Sequence, residues 1–496
     1  MKLAALAAAA GIPLPASAEA QVTGFAIDHR KVAPGTVFGA FVGARFNGED
    51  FIADAVKAGA VAIVARPEAV VDGAVHLASA EPRRMFAQLA GQFFVPVPET
   101  LVAVTGTNGK TSTVELTRQL WRMAGHRAAS IGTLGVTTSD ESVSTGLTTP
   151  DIATFLSNLT GLAREGITHV AYEASSHGLS QFRIEGPRVA AGAFTNVSRD
   201  HLDYHATMDD YFAAKMRLFD EVVGDGGTAV VWADDEWSDR AIAHATARGL
   251  SLFTVGVKGE GVRLLGRTPG GLGQVLEVEH AGKARKIDLP LIGAYQAANA
   301  LVAAGLVLAT GGDADATFDA MKRLVTVRGR LERAAISAAG APVYVDYAHT
   351  PDALEAAIAA LRPHVGPVGR LIVVFGAGGD RDTGKRPEMG RAAVVGADLS
   401  IVTDDNPRGE EPAAIRAMVL AGMTAAADGA VREIGDRREA IGAAIAAARS
   451  GDIVLVAGKG HEQGQIIGSG ATVRVLPFDD VGVAREMAGA LGGTGR

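Results

Sequence analysis

The 496-residue chain contains no cysteine. That absence excludes thiol catalysis, disulfides and cysteine-ligated zinc, but it does not fix a compartment. An excess of positive charge is missing as well: 47 Lys and Arg stand against 55 Asp and Glu, a net charge of −8. Nucleic acid is therefore not expected as the main partner. No run of 18 or more strongly apolar residues is present, so no membrane insertion is expected. Neither an internal repeat nor a low-complexity segment is evident beyond an Ala-rich start. At that start, Met1-Lys2-Leu3, the alanines up to Ala10 and Ala16-Ser17-Ala18 are patterned like a secretory leader. The stretch is mostly Ala, only weakly apolar, and stops at Gly11 and Pro13, so it reads as a first helix. What the chain has is apolar content: 48% hydrophobic and 21% charged residues, enough to bury substantial cores. The length predicts about three domains.

One stretch organises the rest. The apolar run Leu101-Val102-Ala103-Val104 leads into Thr105-Gly106-Thr107-Asn108-Gly109-Lys110-Thr111-Ser112 and then a helical pattern over residues 114–123. Strand, Gly-rich turn and helix in that order form a phosphate cradle. Gly106 and Gly109 let backbone N–H groups approach a polyphosphate, Lys110 reaches its outer oxygens, and Thr111 can ligate Mg²⁺. The strict G-x-x-x-x-G-K-[ST] spacing is not met, because Val104 stands where its first glycine would be. An ordinary Gly turn is the plain alternative, but a Gly-Lys-Thr directly behind an apolar strand favours nucleotide binding. The loop alone does not name a reaction.

Strand-like runs recur at residues 61–65, 170–172, 190–195 and 228–232, with helical patterns between them. They recur again at 343–346, 370–375, 400–403 and 452–457. Such alternation predicts parallel sheets covered by helices, with ligands beyond the strand C-terminal ends. Polar clusters fall at those ends. They are Thr148-Thr149-Pro150-Asp151, Glu173-Ala174-Ser175-Ser176-His177 and the stretch from Thr195 to His205, which includes His201. The later half adds Tyr347-Ala348-His349, residues 376–382, Asp405-Asn406-Pro407-Arg408 and Gly458-Lys459-Gly460-His461-Glu462. Glu173 or His201 alone would be a solvated side chain. Their shared placement beside a phosphate loop favours a hard-cation site. Lys215, on an amphipathic helical stretch, is by itself an ordinary helix lysine, and Asp234-Asp235-Glu236 reads as a solvated loop. Pro96 and Pro98 mark one boundary and the stretch from Arg328 to Arg333 another. The expected units are residues 1–96, 97–327 and 328–496.

In order along the chain, these motifs resemble those of the Mur ligases. Thr105 to Thr111 is similar to the family's TGTNGKT loop, and Tyr172–His177, Thr195–His205, Gly293–Asn299, Arg328–Glu332 and Asp346–Pro351 are similar to its successive blocks. The resemblance implies an α/β protein of three domains: an N-terminal UDP-substrate domain, a central P-loop parallel-sheet ATPase domain and a C-terminal Rossmann-like domain. It implies a cytoplasmic enzyme, working as a monomer, that uses ATP to join an amino acid to a UDP-muramoyl peptide through an acyl phosphate. Lys110 and the loop residues Gly106, Thr107, Asn108, Gly109, Thr111 and Ser112 would hold the phosphates. Asn299, Arg330, Asp346 and His349 would contact the rest of ATP. Thr111, Glu173, His201 and Lys215 would hold Mg²⁺, with Lys215 carbamylated by CO₂; this last expectation rests on the resemblance alone. Ile27, His29, Thr148, Thr149, Ser175, Gln181 and Arg183 would contact UDP-N-acetylmuramoyl-L-alanyl-D-glutamate. Asp405-Asn406-Pro407-Arg408 is similar to the DNPR motif of the members that add meso-2,6-diaminopimelate, whose second carboxylate suits a bidentate Arg408. Arg381, Gly458 and Glu462 would complete that pocket, Glu462 meeting the distal ammonium. Two positions depart from the family pattern: His29 replaces a usual Ser and Gln296 a usual Asn. Another ligase of the Mur or folylpolyglutamate type, or a nucleotide-binding regulator without catalysis, is the alternative. The DNPR stretch argues against the first, and Lys110, Thr111, Glu173, His201 and Lys215 together argue against the second.

Overall fold

The computed structural model describes all residues except 15–18, 44–45, 140–141, 144–146, 202–203, 272, 424–429, 493 and 496. Ala16, Ser17 and Ala18 of the leader-like pattern, and Leu202 and Asp203 of the histidine-rich stretch, lie outside the described residues. Contacts gather the chain into two compact units, residues 1–261 with 302–317, and residues 262–301 with 318–496. Among the described residues no helix is long and apolar enough to cross a membrane.

The first unit opens with the helix Leu3–Ala9, whose Leu3, Leu6 and Ala7 are buried in a shared core. Four parallel strands follow in sequential order, Gly24–Ala26, Thr36–Gly39, Ala60–Ala65 and Val75–Ala78. The helix Pro82–Phe93 starts with proline at its first turn, where the missing N–H costs nothing. It buries Phe86, Ala87, Leu89 and Ala90, one face at helical spacing.

Six parallel strands come next in this unit, in the order Ser251–Gly256, Val223–Trp232, Val189–Phe194, Thr100–Thr105, His169–Glu173, Ala128–Gly132. Gly135–Thr137 and Ser142–Val143 add antiparallel strands beside the last of them. Thr100–Thr105 lies inside the sheet, and the chain leaves it to one side for Ala128–Gly132 and later to the other for Val189–Phe194. That reversal opens a crevice at its C-terminal end. The strand is buried along five of six positions, as a parallel strand covered on both faces must be.

The second unit begins with three antiparallel strands, Val262–Gly270, Gly273–His280 and Lys283–Leu289. A doubly wound sheet follows. Ala430–Glu433, Leu399–Val402, Leu371–Phe375, Ile453–Ala457 and Pro342–Asp346 are parallel; Glu332–Ile336 and Thr494–Gly495 are antiparallel at one side. Side chains alternate between its faces. Leu371, Val373 and Phe375 pack with Leu354, Met389 and Ile415, while Ile372 and Val374 pack with Ile441, Ala444 and Val481.

Candidate active site

In the first unit the helix Lys110–Met123 starts directly after Gly109, which is left-handed at φ 86°. Its first N–H groups and the positive end of its dipole face the crevice. Lys110 Nζ donates to the carbonyls of Gly106 and Thr107 at 2.9 and 2.8 Å. Lys215 is fully buried and donates to the same Gly106 carbonyl at 2.7 Å. Burial, then the charge of Lys110, hold Lys215 well below the usual lysine range. Two lysines on one carbonyl make a site that calls for an anion or for a neutral amine.

Glu173, buried at the end of its strand, accepts from the Thr111 hydroxyl at 2.9 Å and from Thr133 N at 2.7 Å. The Thr133 hydroxyl donates to its second oxygen at 3.2 Å and to Thr148 Oγ1 at 3.1 Å. Thr149 Oγ1 reaches the Glu173 carbonyl at 3.0 Å and Ser175 Oγ at 2.9 Å. Arg183 donates to the Thr149 carbonyl at 3.0 Å and grips Gln181 Oε1 from Nε and Nη2, and Gln181 donates to Tyr204 OH at 3.0 Å. The fold thus brings Thr111, Thr148, Thr149, Glu173, Ser175, Gln181 and Arg183 into one polar surface. His201 belongs to another part of it, beside Asp200, with the rings of His177 and Tyr211 at 5.0 and 5.9 Å. Among the described residues no three His, Asp or Glu side chains form a metal-holding group. The oxygen donors that do converge, the Glu173 carboxylate and the Thr111 hydroxyl, suit a hard cation such as Mg²⁺.

The side chains of Thr107 and Asn108 have partners in the protein. Thr107 Oγ1 meets Tyr211 OH and accepts from Ser198 N, while Asn108 Nδ2 donates to Ser198 Oγ at 3.4 Å and the Asn108 backbone N–H donates to Asn196 Oδ1. Thr195, Asn196 and Tyr204 lie in the strand-end stretch read from the sequence but were given no individual role, and Thr133 and Tyr211 were not read as site residues, although Thr133 directly follows a strand end and could have been. Asp234 and Asp235, expected in a solvated loop, accept backbone N–H groups of Val257, Lys258, Val197 and Trp237. Ile27 and His29 sit just after the first strand, and the His29 ring stacks on Phe51 at 4.3 Å with 3° between planes.

The second unit gathers the remaining residues in two groups. Gln296, buried, donates to the Arg330 carbonyl at 3.1 Å and accepts from Asn299 at 3.2 Å. The Arg330 guanidinium lies 4.5 Å above the Tyr347 ring. Asp346 accepts from Leu331 N at 2.7 Å and from Tyr295 OH at 3.4 Å, and burial pushes its carboxyl up to about 6. His349 Nδ1 lies 2.9 Å from the Tyr347 carbonyl. The residue that departs from the family pattern, Gln296, thereby ties two of the expected nucleotide contacts together.

The other group lies at the ends of Leu371–Phe375, Leu399–Val402 and Ile453–Ala457. Asn406 accepts from Lys459 at 2.7 Å and Ile466 N at 2.9 Å, and donates to Glu462 at 2.9 Å. Burial raises the Glu462 carboxyl above its usual range. Asp405 Oδ2 is buried without a hydrogen-bond partner, beside Gly458, where a Cβ would stand 2.6 Å from it. Pro407 O packs on Gly379, and Arg408, at φ 51°, donates to the Gly379 carbonyl at 2.8 Å. Arg381 is exposed on the neighbouring loop.

Domain profiles described as "Mur ligase family, catalytic domain", "Mur ligase middle domain" and "Mur ligase, glutamate ligase domain" match residues 21–103, 104–307 and 329–460. The chain belongs to the Mur ligase family. This Mur ligase is 61% identical over 485 residues to the UDP-N-acetylmuramoyl-L-alanyl-D-glutamate--2,6-diaminopimelate ligase of Zymomonas mobilis, with 98% of each chain covered. It is 52% identical to the protein of that name from Bradyrhizobium diazoefficiens, with 94% of each covered. A solved structure of a ligase of that name is similar to it at a TM-score of 0.72 and 32% identity, covering 98% of this Mur ligase and 99% of that chain. A MurF ligase from Thermotoga maritima in complex with ADP shares the fold, at a TM-score of 0.61 and 20% identity over 95% of this chain and 98% of that one.

Proposed function

We propose that this Mur ligase joins meso-2,6-diaminopimelate to UDP-N-acetylmuramoyl-L-alanyl-D-glutamate, with ATP cleaved to ADP and phosphate, in the cytoplasmic synthesis of a peptidoglycan precursor. The observation that carries the reading is the convergence of Glu173 on Thr111 and of Lys215 on Gly106, at the ends of two neighbouring parallel strands. The names of its relatives point to the same substrates.

A carboxylate is a poor electrophile, so the D-Glu side chain must first gain a leaving group. Lys110 and the N–H groups of residues 106–112 neutralise charge on the phosphoryl group as it moves to that carboxylate. The amine of the incoming amino acid then attacks the acyl phosphate, and phosphate leaves. Glu173 and Thr111, with His201 nearby on the same surface, would hold Mg²⁺, which supplies charge screening of the polyphosphate. Lys215 suits carbamylation: burial favours its neutral amine, the form that reacts with CO₂, and a carbamate would turn a cation into an oxygen ligand. Thr148, Thr149, Ser175, Gln181 and Arg183 orient the muramoyl peptide, and Ile27 and His29, its ring braced on Phe51, take the uridine end. Asn299, Arg330, Asp346 and His349 receive the nucleoside of ATP. Asp405, Asn406, Pro407, Arg408, Arg381, Gly458 and Glu462 receive the amino acid. Arg408 faces its second carboxylate and Glu462 its distal ammonium.

Phosphate release from Mg-ATP and UDP-N-acetylmuramoyl-L-alanyl-D-glutamate, with either meso-diaminopimelate or L-lysine, tests the reading. Release with diaminopimelate and far less with lysine is expected. Equal rates would defeat the role of Arg408, and no release with either would defeat the ligase reading.

A further inference from the structure

Two loops carry the arginines assigned above to the amino acid: residues 376–382 with Arg381, and residues 404–411 with Arg408. Beneath their crossing lies Arg386, in the first turn of the helix Lys385–Gly396 and fully buried. Its Nη1 donates to Glu410 Oε2 at 2.9 Å and its Nη2 to Glu410 Oε1 at 2.7 Å. Nη2 also donates to the Gly378 carbonyl at 3.1 Å, so one guanidinium holds both loops. Glu410 returns to the first loop by accepting from Asp380 N at 2.6 Å, and Asp380 accepts from Gly409 N at 3.0 Å. A third crossing runs from Gly379 N to the Asn406 carbonyl at 2.9 Å. Asp380 and Arg408 are both left-handed at φ 51°, a conformation that non-glycine residues keep only where their surroundings impose it. At Gly378 a Cβ would lie 2.8 Å from Arg408 Nη1 and 3.9 Å from Arg381 Cγ, so the guanidinium of one arginine and the stem of the other both approach the crossing.

We propose that Arg386, acting through Glu410, is a positioning residue that sets the spacing of Arg381 and Arg408 and thereby the preference for an amino acid with a second carboxylate. The inference rests on the ligase reading above. A buried ion pair is weak as a source of stability, since desolvation offsets most of its attraction. What a planar fork supplies is fixed bidentate geometry, which a lysine cannot reproduce. Neither Arg386 nor Glu410 is among the residues assigned to the amino acid, so their effect passes through Arg381 and Arg408.

The test uses the full-length enzyme and its Glu410→Ala, Glu410→Gln and Arg386→Lys variants, with phosphate release titrated against diaminopimelate, L-lysine and ATP. Glu410→Ala and Arg386→Lys are expected to raise KM for diaminopimelate about tenfold or more, because small misplacements of binding groups are costly. KM for ATP should stay within about twofold, and the diaminopimelate-to-lysine ratio of kcat/KM should fall. Glu410→Gln, which keeps an acceptor oxygen for Asp380 N, should recover part of the loss. Should Arg386→Lys fail to fold by circular dichroism, the two Glu410 variants decide, the Gln variant keeping an oxygen on Arg386 where Ala strands its buried charge. An unchanged KM for diaminopimelate and an unchanged ratio in Glu410→Ala overturn the proposal. No phosphate release by the unsubstituted enzyme defeats the ligase reading itself, and this inference with it.

Discussion

At the scale of single residues, burial decides more than sequence position does. Asp346 ends a buried strand, and its carboxyl is pushed up to about 6. Burial is the leading cause, opposed by Arg330 and by the Leu331 N–H. In the unfolded chain the same group would titrate near 3.8. The folded state therefore holds a proton that the unfolded state has released across the interval from about 4 to about 6. Stability contributed by this group is full below that interval and falls as pH rises through it, by about 3 kcal/mol at most. Asp346→Asn mimics the protonated form and keeps an acceptor for Leu331 N. Its melting temperature relative to wild type should rise from pH 4 to pH 6 and then level off. A difference independent of pH would show that Asp346 ionises normally.

At the scale of elements, close packing at strand ends fixes where the chemistry can sit. Gly132 closes the strand Ala128–Gly132 against the site, and a Cβ there would stand 2.3 Å from Glu173 Oε1. Gly132→Ala must displace the carboxylate from Thr111 and Thr133. Overpacking of this kind costs about 1–3 kcal/mol in stability. The larger effect is expected on phosphate release, which should fall by about tenfold or more once the charged group moves. Gly161 is the contrast. It lies in the helix Ile152–Arg164, with no atom within 4 Å of the added Cβ. Gly161→Ala should raise stability by roughly 0.5–1 kcal/mol through helix propensity, with activity unchanged. Thermal melts and phosphate-release rates on both variants check the pair. If Gly132→Ala kept full activity, the Glu173 carboxylate would not need its observed place.

At the scale of the whole molecule, the strands legible in the sequence were those buried on both faces. Residues 170–172, 343–346 and 452–457 read as apolar runs, the last two bounded by Asp346 and Asp452, and the strands His169–Glu173, Pro342–Asp346 and Ile453–Ala457 occur there. The three antiparallel strands from Val262 to Leu289 were not legible, because the two outer ones are largely exposed and the three carry Arg, Glu and Lys among their apolar residues. Prolines 96 and 98 punctuate the chain visibly, but they do not reveal which faces pack. In the structure Leu3, Phe86 and Leu89 share one core with Leu101, Phe155 and Phe194. Site residues were legible where a motif puts them at a strand end. Arg386 was not, since only packing brings it beneath the two loops.

The same distribution along the chain yields a prediction about separable functions. The phosphate loop with Lys215 and Glu173 lies in the first compact unit, and Arg408 with its whole hydrogen-bonded pocket lies in the second. Arg408 hydrogen-bonds through Nη1 to the Gly379 carbonyl, and its backbone N–H donates to the Ile466 carbonyl at 3.0 Å. Truncating the side chain removes the guanidinium but leaves that backbone bridge. A carboxylate that buries this half-buried guanidinium on binding and is then deprived of it loses about 2–5 kcal/mol, a factor of tens to thousands. Arg408→Ala should therefore cut kcat/KM for diaminopimelate by about a hundredfold or more, while lysine, which has no second carboxylate, is affected little. Nucleotide affinity measured by calorimetry should stay within about twofold of wild type, because the phosphate-binding groups are untouched. A large loss of ATP affinity would place Arg408 in nucleotide binding, and an equal loss for both amino acids would assign it to the α-carboxylate that they share.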